Sequence, residues 1–284
     1  MKRSQSYKFN SFFALRFPII QVMAKQLQFI FIAGCPHSGT SILHRLFSLH
    51  KDTLGIPGES GLFLNNPSNE RIQTTLSSWR TQAIDEGKRY IVEKTPWHGL
   101  KTGQISAILP GARFLFIIRN PIDTYGSLKQ RGATTRIKDS RESRIEVISK
   151  FFKAAAETKA PLVTLEDLTN NPTDELLRCL NAVNILTTKP DAEAILAAQS
   201  QSALGAKDSS MQRTEPSDRT DGASHRELRA WQIRQPIFNN TRNRNNVEPA
   251  EVEQITAVLH PLVSQLSHQL NLAAWGHDFP FLLN

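Results

Sequence analysis

The stretch "FIFIAGCPHSGTSIL", residues 29–43, constrains the fold more than any other part of the sequence. A short apolar run leads into a loop that contains Gly34 and Gly39, and Thr40 and Ser41 then begin a helical pattern. A strand that passes through such a turn into a helix gathers backbone N–H groups and the positive end of the helix dipole at one point. The stretch therefore predicts an anion-binding loop after a parallel strand.

Two familiar nucleotide loops do not fit this stretch. The glycines are spaced as in G-x-x-x-x-G-K-[ST], but Thr40 stands where that motif requires lysine. A dinucleotide fingerprint, G-x-G-x-x-G, would need glycine where Pro36 stands. The apolar strand "RFLFIIR" ends in Arg119 rather than in an aspartate that could hold Mg²⁺. No metal is expected, although a nucleotide-dependent kinase or hydrolase with this type of loop stays an alternative.

Short apolar runs alternate with helical patterns along the chain, which predicts a parallel sheet covered by helices. The predicted strands are Leu27–Ala33, Tyr90–Glu93, Arg113–Ile118 and Pro161–Leu165. The predicted helices are Ser41–Leu49, Ile72–Glu86, Leu100–Leu109, Ile122–Gln130, Arg144–Lys159, Asp174–Ala182 and a closing helix at Pro249–Leu270. We therefore expect an α/β protein with a three-layer α/β/α, P-loop-like fold and a central parallel sheet of four or five strands.

The domain organisation is expected to be simple. Residues 1–24 have a basic start and apolar clusters interrupted by Arg16 and Pro18, and we expect this leader to lie outside the fold. Residues 25–284 are expected to form a single domain. The polar stretch Ser202–Arg226 predicts a long loop within it.

The formal net charge of +8, from 34 Lys and Arg against 26 Asp and Glu, admits three kinds of partner: nucleic acid, an anionic membrane surface or a small polyanion. Nucleic acid is not expected, because the basic residues are not interleaved with aromatic residues and no reading module is recognisable. No apolar run is long enough to predict a transmembrane span, which leaves peripheral membrane association open. Two cysteines are too few for a disulfide framework, and we expect a reducing, cytoplasmic compartment.

Beyond these patterns, "GCPHSGTS" resembles the P-x-S-G-T-[ST] loop of the sulfotransferases. "RFLFIIRNPIDTYGSLKQR" is similar to their second hallmark, a strand that ends in Arg, followed by Pro and by a Ser eight residues after the Arg. The resemblance also includes "EKTPWHG" and "VTLEDLTNNP" and spans about residues 27–185. It is closer to the bacterial and the glycan- or tyrosine-modifying members than to the cytosolic type.

The resemblance implies a cofactor, 3′-phosphoadenosine-5′-phosphosulfate (PAPS), and its product 3′-phosphoadenosine-5′-phosphate (PAP). The family's 5′-phosphosulfate site corresponds here to Pro36, His37, Ser38, Gly39, Thr40 and Ser41. The 3′-phosphate site corresponds to Arg119 and Ser127, with Arg226 as a further candidate from a late basic segment. A phosphosulfate carries less charge than a triphosphate, so amides and hydroxyls can suffice without Lys and Mg²⁺.

The resemblance also implies catalytic residues. Glu59 in "GIPGESGLF" is the preferred base that accepts the acceptor's proton, and His98 is the alternative. Lys94 corresponds to the lysine that stabilises charge on the sulfuryl group. His37 stands where the family commonly has a basic residue and can donate to the leaving oxygen, so activity is expected to fall at high pH.

The acceptor cannot be inferred from the sequence: a hydroxyl or amine of a glycan, lipid, peptide or specialised metabolite is open. Its pocket is expected from the loops Thr53–Asn69, Gly132–Arg141 and Ser202–Arg226.

Overall fold

A five-stranded, all-parallel sheet forms the centre of the computed structural model, which describes residues 27–134, 136–207, 241–270 and 275. The strands, in the order β2-β3-β1-β4-β5 across the sheet, are β1 Gln28–Ala33, β2 Thr53–Gly55, β3 Tyr90–Lys94, β4 Arg113–Ile118 and β5 Leu162–Thr164. This arrangement confirms the predicted α/β class and the parallel sheet.

Helices connect the strands and cover both faces of the sheet. The α-helices are α1 Thr40–Ser48, α2 Asn69–Asp85, α3 Thr102–Ile108, α4 Pro121–Arg131, α5 Arg141–Thr158, α6 Leu165–Asn170, α7 Pro172–Ala182, α8 Lys189–Lys207 and α9 Pro249–Leu266. Short 3₁₀ helices lie at Pro96–Lys101, Thr241–Asn246 and Ser267–Gln269.

The central strand β1 is apolar at every position from Phe29 to Ala33, and all five residues are buried. A strand that is covered on both faces reads as a continuous apolar run rather than as an alternating one. One face, which includes Ile30 and Ile32, packs against α1, α6, α7 and α8. The other face, which includes Phe31, packs against α2 and α3, and beside it Phe116 of β4 packs against α4, α5 and α9.

The connections make the boundary between β1 and β4, which are neighbours in the sheet, a topological switch point at which a crevice is expected. The helix after β1 covers one face of the sheet, and the helix after β4 covers the other. In open α/β sheets, ligands bind outside the carboxyl ends of the strands at such a switch point. The loop after β1 and the segment after β4 therefore share one edge of the protein.

Four parts of the predicted secondary structure need correction, and one of them is helix α6 at Leu165–Asn170, whose first residue was assigned to a strand. Strand β2 was not predicted, because three residues are too few to show a pattern, and the residues were assigned to a loop. Helix α8 was not predicted either, and it continues to Lys207, so residues 202–207 are helical rather than part of the expected loop. The chain forms a 3₁₀ helix from Pro96 before α3 begins at Thr102, where one helix from Leu100 was expected.

Some of the predictions concern residues outside the described ranges. These are the leader at residues 1–24, residues 208–226 of the expected loop, and Arg226 within it. Within the ranges that are described, no helix has the length and hydropathy needed to cross a membrane. Cys35 and Cys179 are both free and buried.

The turn after β1 tolerates only glycine at its first position. A Cβ added to Gly34 would lie 2.1 Å from the carbonyl oxygen of Ile117, and the residue has φ of 154°.

We expect Gly34→Ala to lower the free energy of unfolding by more than about 2 kcal/mol, because backbone must shift to admit the methyl group. Urea unfolding followed by circular dichroism measures this change.

Gly103→Ala is the matched control for that substitution. Gly103 lies in α3, and an added Cβ would meet no atom within 4 Å. Alanine there should leave stability unchanged or raise it by up to ~1 kcal/mol. Equal stability of the two variants would contradict the account of the β1–β4 junction.

Candidate functional site

Buried hydrogen bonds of Ser38 hold the loop after β1 against the neighbouring strand β4. The Ser38 hydroxyl lies 2.6 Å from the Cys35 carbonyl oxygen and 2.9 Å from that of Ile117, and the Ser38 N–H donates to Cys35. Ser38 is fully buried. Its side chain therefore shapes the loop, and the prediction that it contacts a cofactor directly is not supported by this geometry.

Helix α1 begins at this loop without a cap of its own. Gly39 is the N-cap with φ of 97°, no side chain accepts from the first turn, and that turn contains no acidic residue. Thr40 is buried and Ser41 is half-buried at the helix start. The N–H groups of a first helical turn have no partner within the helix, so this end of α1 can receive an anion.

His37 connects the loop to helix α4. Its Nδ1 lies 3.0 Å from the Ser127 hydroxyl and its Nε2 lies 3.4 Å from the Arg131 guanidinium. A neutral ring with its proton on Nδ1 satisfies both contacts, because arginine can only donate. The expected loss of activity at high pH stays a prediction.

Helix α4 presents a polar stripe toward this loop. Asp123, Ser127 and Arg131 are four residues apart and so lie on one face of the helix. Arg244, from the 3₁₀ turn that packs on α4, lies 3.8 Å from the Asp123 carboxylate. Sequence reasoning missed Arg131 and Arg244, although the four-residue spacing from Ser127 was a signal for Arg131.

Arg119 lies directly after β4 and is only 4 % exposed. Burial lowers its pKa, while the nearby carboxylates of Asp123 and Glu166 act in the opposite direction. Burial raises the pKa of Glu166, which accepts hydrogen bonds from the Asn120 N–H and the Trp275 indole. An anion that reaches Arg119 must therefore compete with internal carboxylates.

Lys94 and Glu59 form an ion pair at the carboxyl end of β3, with 2.9 Å between Lys94 Nζ and Glu59 Oε1. Lys94 is 4 % exposed and Glu59 is 22 % exposed at the side chain, so the carboxylate is the more accessible partner. Two residues that were predicted separately as catalytic are thus brought into contact. Lys94 lies at the carboxyl end of β3, beside the carboxyl end of β1 where the loop begins, because Lys94 pairs in register with Ile32 of β1.

The structure places His98 in the core rather than in the crevice. It is 0 % exposed, its Nδ1 lies 2.8 Å from Glu93 and its Nε2 accepts from the Phe63 N–H. Both ring nitrogens have partners within the protein, and this geometry favours a structural role for His98 over that of a catalytic base. Glu93, to which no role was given, is its buried partner.

Two of the three loops that were expected to form the acceptor pocket are in contact. Arg136 donates to the Asn65 side chain over 3.1 Å, and its guanidinium lies over the Trp97 ring. This contact joins the segment after α4 to the segment that follows Glu59. The third loop lies mostly outside the described residues.

Comparison with known proteins gives a family match over part of the chain. Residues 68–185 match the family model described as "Sulfotransferase family", which confirms the resemblance stated above. The match includes Lys94, Arg119 and Ser127. None of the curated proteins matches the chain.

Solved structures with a similar course of the chain include two bacterial sulfotransferases. The sulfotransferase domain of the Synechococcus PCC 7002 olefin synthase has 15% identity and a TM-score of 0.49, with 82% of this chain and 94% of that chain covered. A sulfotransferase from Alicyclobacillus acidocaldarius has 16% identity and a TM-score of 0.49, with 87% and 97% covered. A retinol dehydratase in complex with androsterone and the inactive cofactor PAP has 10% identity and a TM-score of 0.42, with 83% and 80% covered. At these identities no residue receives a role from the other protein.

Helix α1 also contains a buried histidine, His44, that should make the free energy of unfolding depend on pH. Burial and the nearby Lys94 cation lower the pKa of His44, on α1, from 6.5 to about 4. Between these values the unfolded chain takes up a proton that the folded chain excludes, so stability should fall as the pH falls from 6.5 to 4, by about 3 kcal/mol in all. In His44→Gln, urea unfolding between pH 7 and pH 4.5 should show a flatter dependence.

His268→Gln is the control for this measurement, because His268 is exposed. That substitution should leave the pH dependence as in the wild type. A His44→Gln variant with the wild-type pH dependence would contradict the environment described for His44.

Proposed function

Starting from the match of residues 68–185 to the sulfotransferase family, we propose that this protein transfers the sulfuryl group of PAPS to a hydroxyl or amine without a metal ion. The observation that carries the proposal is the convergence at one sheet edge of an uncapped helix start, the His37–Ser127–Arg131 contacts and the Lys94–Glu59 pair. An anion site and an acid–base pair at one edge are what sulfuryl transfer requires.

The residues present fit the two anionic ends of PAPS. Thr40, Ser41 and the first N–H groups of α1 would hold the 5′-phosphosulfate, with Pro36, His37 and Gly39 setting the course of the loop. Arg119 and Ser127, which follow β4, would hold the 3′-phosphate. PAPS, when bound, supplies the sulfuryl group and the leaving phosphate.

Glu59 and Lys94 would act as a pair during the reaction. In the structure the Lys94 ammonium engages the Glu59 carboxylate and so weakens it as a base. Lys94 would balance negative charge on the sulfuryl group of bound PAPS, and Glu59 would accept the acceptor's proton. His37, whose Nδ1 lies 3.0 Å from the Ser127 hydroxyl, would orient Ser127 and the loop beside the leaving oxygen.

A magnesium-dependent kinase or hydrolase is the alternative function, and a basic nucleic-acid-binding protein is a weaker one. Thr40 in place of the loop lysine argues against the kinase or hydrolase. Within the described ranges, no three His, Cys, Asp or Glu side chains come together as metal ligands. ATP binding that requires Mg²⁺ would favour the kinase or hydrolase over our proposal, and tight, steeply salt-dependent binding to DNA would favour nucleic acid.

Cofactor binding is tested by calorimetry with PAP in the presence of a chelator. We expect the wild type to bind, and Arg119→Ala to raise the dissociation constant at least ~10-fold, which corresponds to one charge-assisted contact. Ser127→Ala should raise it by a smaller factor. Ser127→Ala keeps the test valid if Arg119→Ala, which removes a cation from beside the buried carboxylates of Asp123 and Glu166, does not fold.

Arg178→Ala is the control for PAP binding, since Arg178 pairs with Glu175 on α7, away from the crevice. We expect wild-type affinity in that variant. If Arg178→Ala lost as much PAP affinity as Arg119→Ala and Ser127→Ala, the loss would not be specific to the segment after β4.

The catalytic pair is tested with radiolabelled PAPS and phenols of graded acidity as acceptors. Glu59→Gln should reduce transfer to unactivated phenol by ~10²-fold or more and transfer to p-nitrophenol far less, because an acidic acceptor needs no base. Lys94→Ala should reduce transfer to both by ~10²–10³-fold, because charge on the leaving group develops in either case. Equal losses for both acceptors in Glu59→Gln would exclude Glu59 as the base.

A further inference from the structure

The carboxylate of Glu93 is the centre of a buried polar cluster behind the loop that carries Glu59. Glu93 is 1 % exposed. Its Oε1 accepts from the Ser60 N–H over 3.2 Å, from the Ser60 hydroxyl over 2.7 Å and from the Thr95 hydroxyl over 2.6 Å. Its Oε2 lies 2.8 Å from His98 Nδ1. One carboxylate thus engages Thr95 and His98, which follow β3, and the loop at the same time.

The partners of Glu93 in turn hold the loop backbone. Four consecutive N–H groups donate to Glu93 or to side chains that Glu93 orients: Ser60 N–H to Glu93, Gly61 N–H to Thr95 Oγ1 at 3.1 Å, Leu62 N–H to Ser60 Oγ at 3.2 Å, and Phe63 N–H to His98 Nε2 at 3.2 Å. Four successive backbone N–H groups of this loop thereby have acceptors within the protein.

The direction of every proton in this cluster requires Glu93 to be ionised. The hydroxyls of Ser60 and Thr95 accept from the backbone, so their own protons must point to Glu93. His98 accepts at Nε2, so its proton must lie on Nδ1 and also point to Glu93. Burial alone would raise the pKa of Glu93, but the bonds from His98, Thr95 and Ser60 outweigh burial and lower it.

Glu93 and Lys94 act on the same loop from opposite faces of β3, because successive side chains of a strand alternate. We propose that Glu93 is a positioning residue: by holding the backbone of residues 60–63 it keeps the Glu59 carboxylate against Lys94. This inference rests on the proposed function only in so far as Glu59 is the base of the reaction.

Glutamine cannot replace Glu93 in this arrangement. If its amide nitrogen took the Oε1 position, it would face the Ser60 N–H, and two donors would meet. If the nitrogen took the Oε2 position, His98 would have to move its proton to Nε2 and face the Phe63 N–H. Either orientation breaks at least one of the bonds that hold the loop, although the side chain has the same shape.

The test compares Glu93→Gln, Glu93→Asp and Ser60→Ala with the wild type in three measurements. These are amide hydrogen exchange of residues 60–63 by mass spectrometry, PAP affinity by calorimetry, and steady-state transfer from PAPS to phenol. We expect Glu93→Gln to lose protection at residues 60–63 and to lower kcat by roughly 10²-fold, the cost of a misplaced group of about 1 Å. PAP affinity and the KM for PAPS should stay within about 2-fold. Glu93→Asp, which keeps the charge, should recover part of kcat, and Ser60→Ala should lose less than Glu93→Gln.

Glu251→Gln is the matched control. Glu251 is also a buried carboxylate, and it accepts from Tyr125 and Lys129 on the other side of α4. This variant should be destabilised without a change in kcat or in exchange at residues 60–63. A loss of kcat in Glu251→Gln equal to that in Glu93→Gln would reduce the role of Glu93 to general stability and overturn the proposal.

The outcomes separate the two proposals. Wild-type kcat and wild-type protection in Glu93→Gln would overturn the role of Glu93 and leave the proposed function intact. If the wild type neither binds PAP nor transfers the sulfuryl group, the proposed function fails, and amide hydrogen exchange alone tests the role of Glu93. Loss of protection only at residues 60–63 in Glu93→Gln would then support the inference that Glu93 holds the loop. Unchanged protection in that variant would contradict it.

Discussion

The candidate site depends on the close contact between the turn after β1 and the backbone of β4. Gly34 approaches the Ile117 carbonyl so closely that no side chain fits, and the Ser38 hydroxyl lies between the carbonyl oxygens of Cys35 and Ile117. The helices after these two strands leave to opposite faces of the sheet, so a crevice opens between them. The direction of the α1 helix start and the position of Arg119 both follow from this one junction.

The cations at this edge already have partners within the protein. Lys94 is paired with Glu59, and Arg119 lies in the field of Asp123 and Glu166. A ligand must therefore replace internal interactions rather than meet unpaired positive charge. The proposed cofactor, PAPS, would have to replace such interactions at both of its anionic ends.

Four of the five strands, and the helices that begin at the candidate site, could be predicted from the sequence. The contacts between these elements could not be predicted. β1 and β4 are continuous apolar runs, so both could be predicted, while β2 has three residues and no pattern. The Lys94–Glu59 pair joins residues 35 positions apart and depends on how the loop is held, which no spacing encodes. Glu93 and Lys94 are neighbours on β3 and so lie on opposite faces of the strand, and it is Glu93 that supports the loop. His98 could not be distinguished from an accessible base until both of its nitrogens were seen to have partners.

The central claim is that one nucleotide contacts both the loop after β1 and the segment after β4. A crystal structure of the protein with PAP tests it most directly. We predict density for the 5′-phosphate at the first N–H groups of α1, beside Thr40 and Ser41, and for the 3′-phosphate at Arg119 and Ser127 of the same molecule. PAP bound to only one of these two segments, or elsewhere on the protein, would contradict the account.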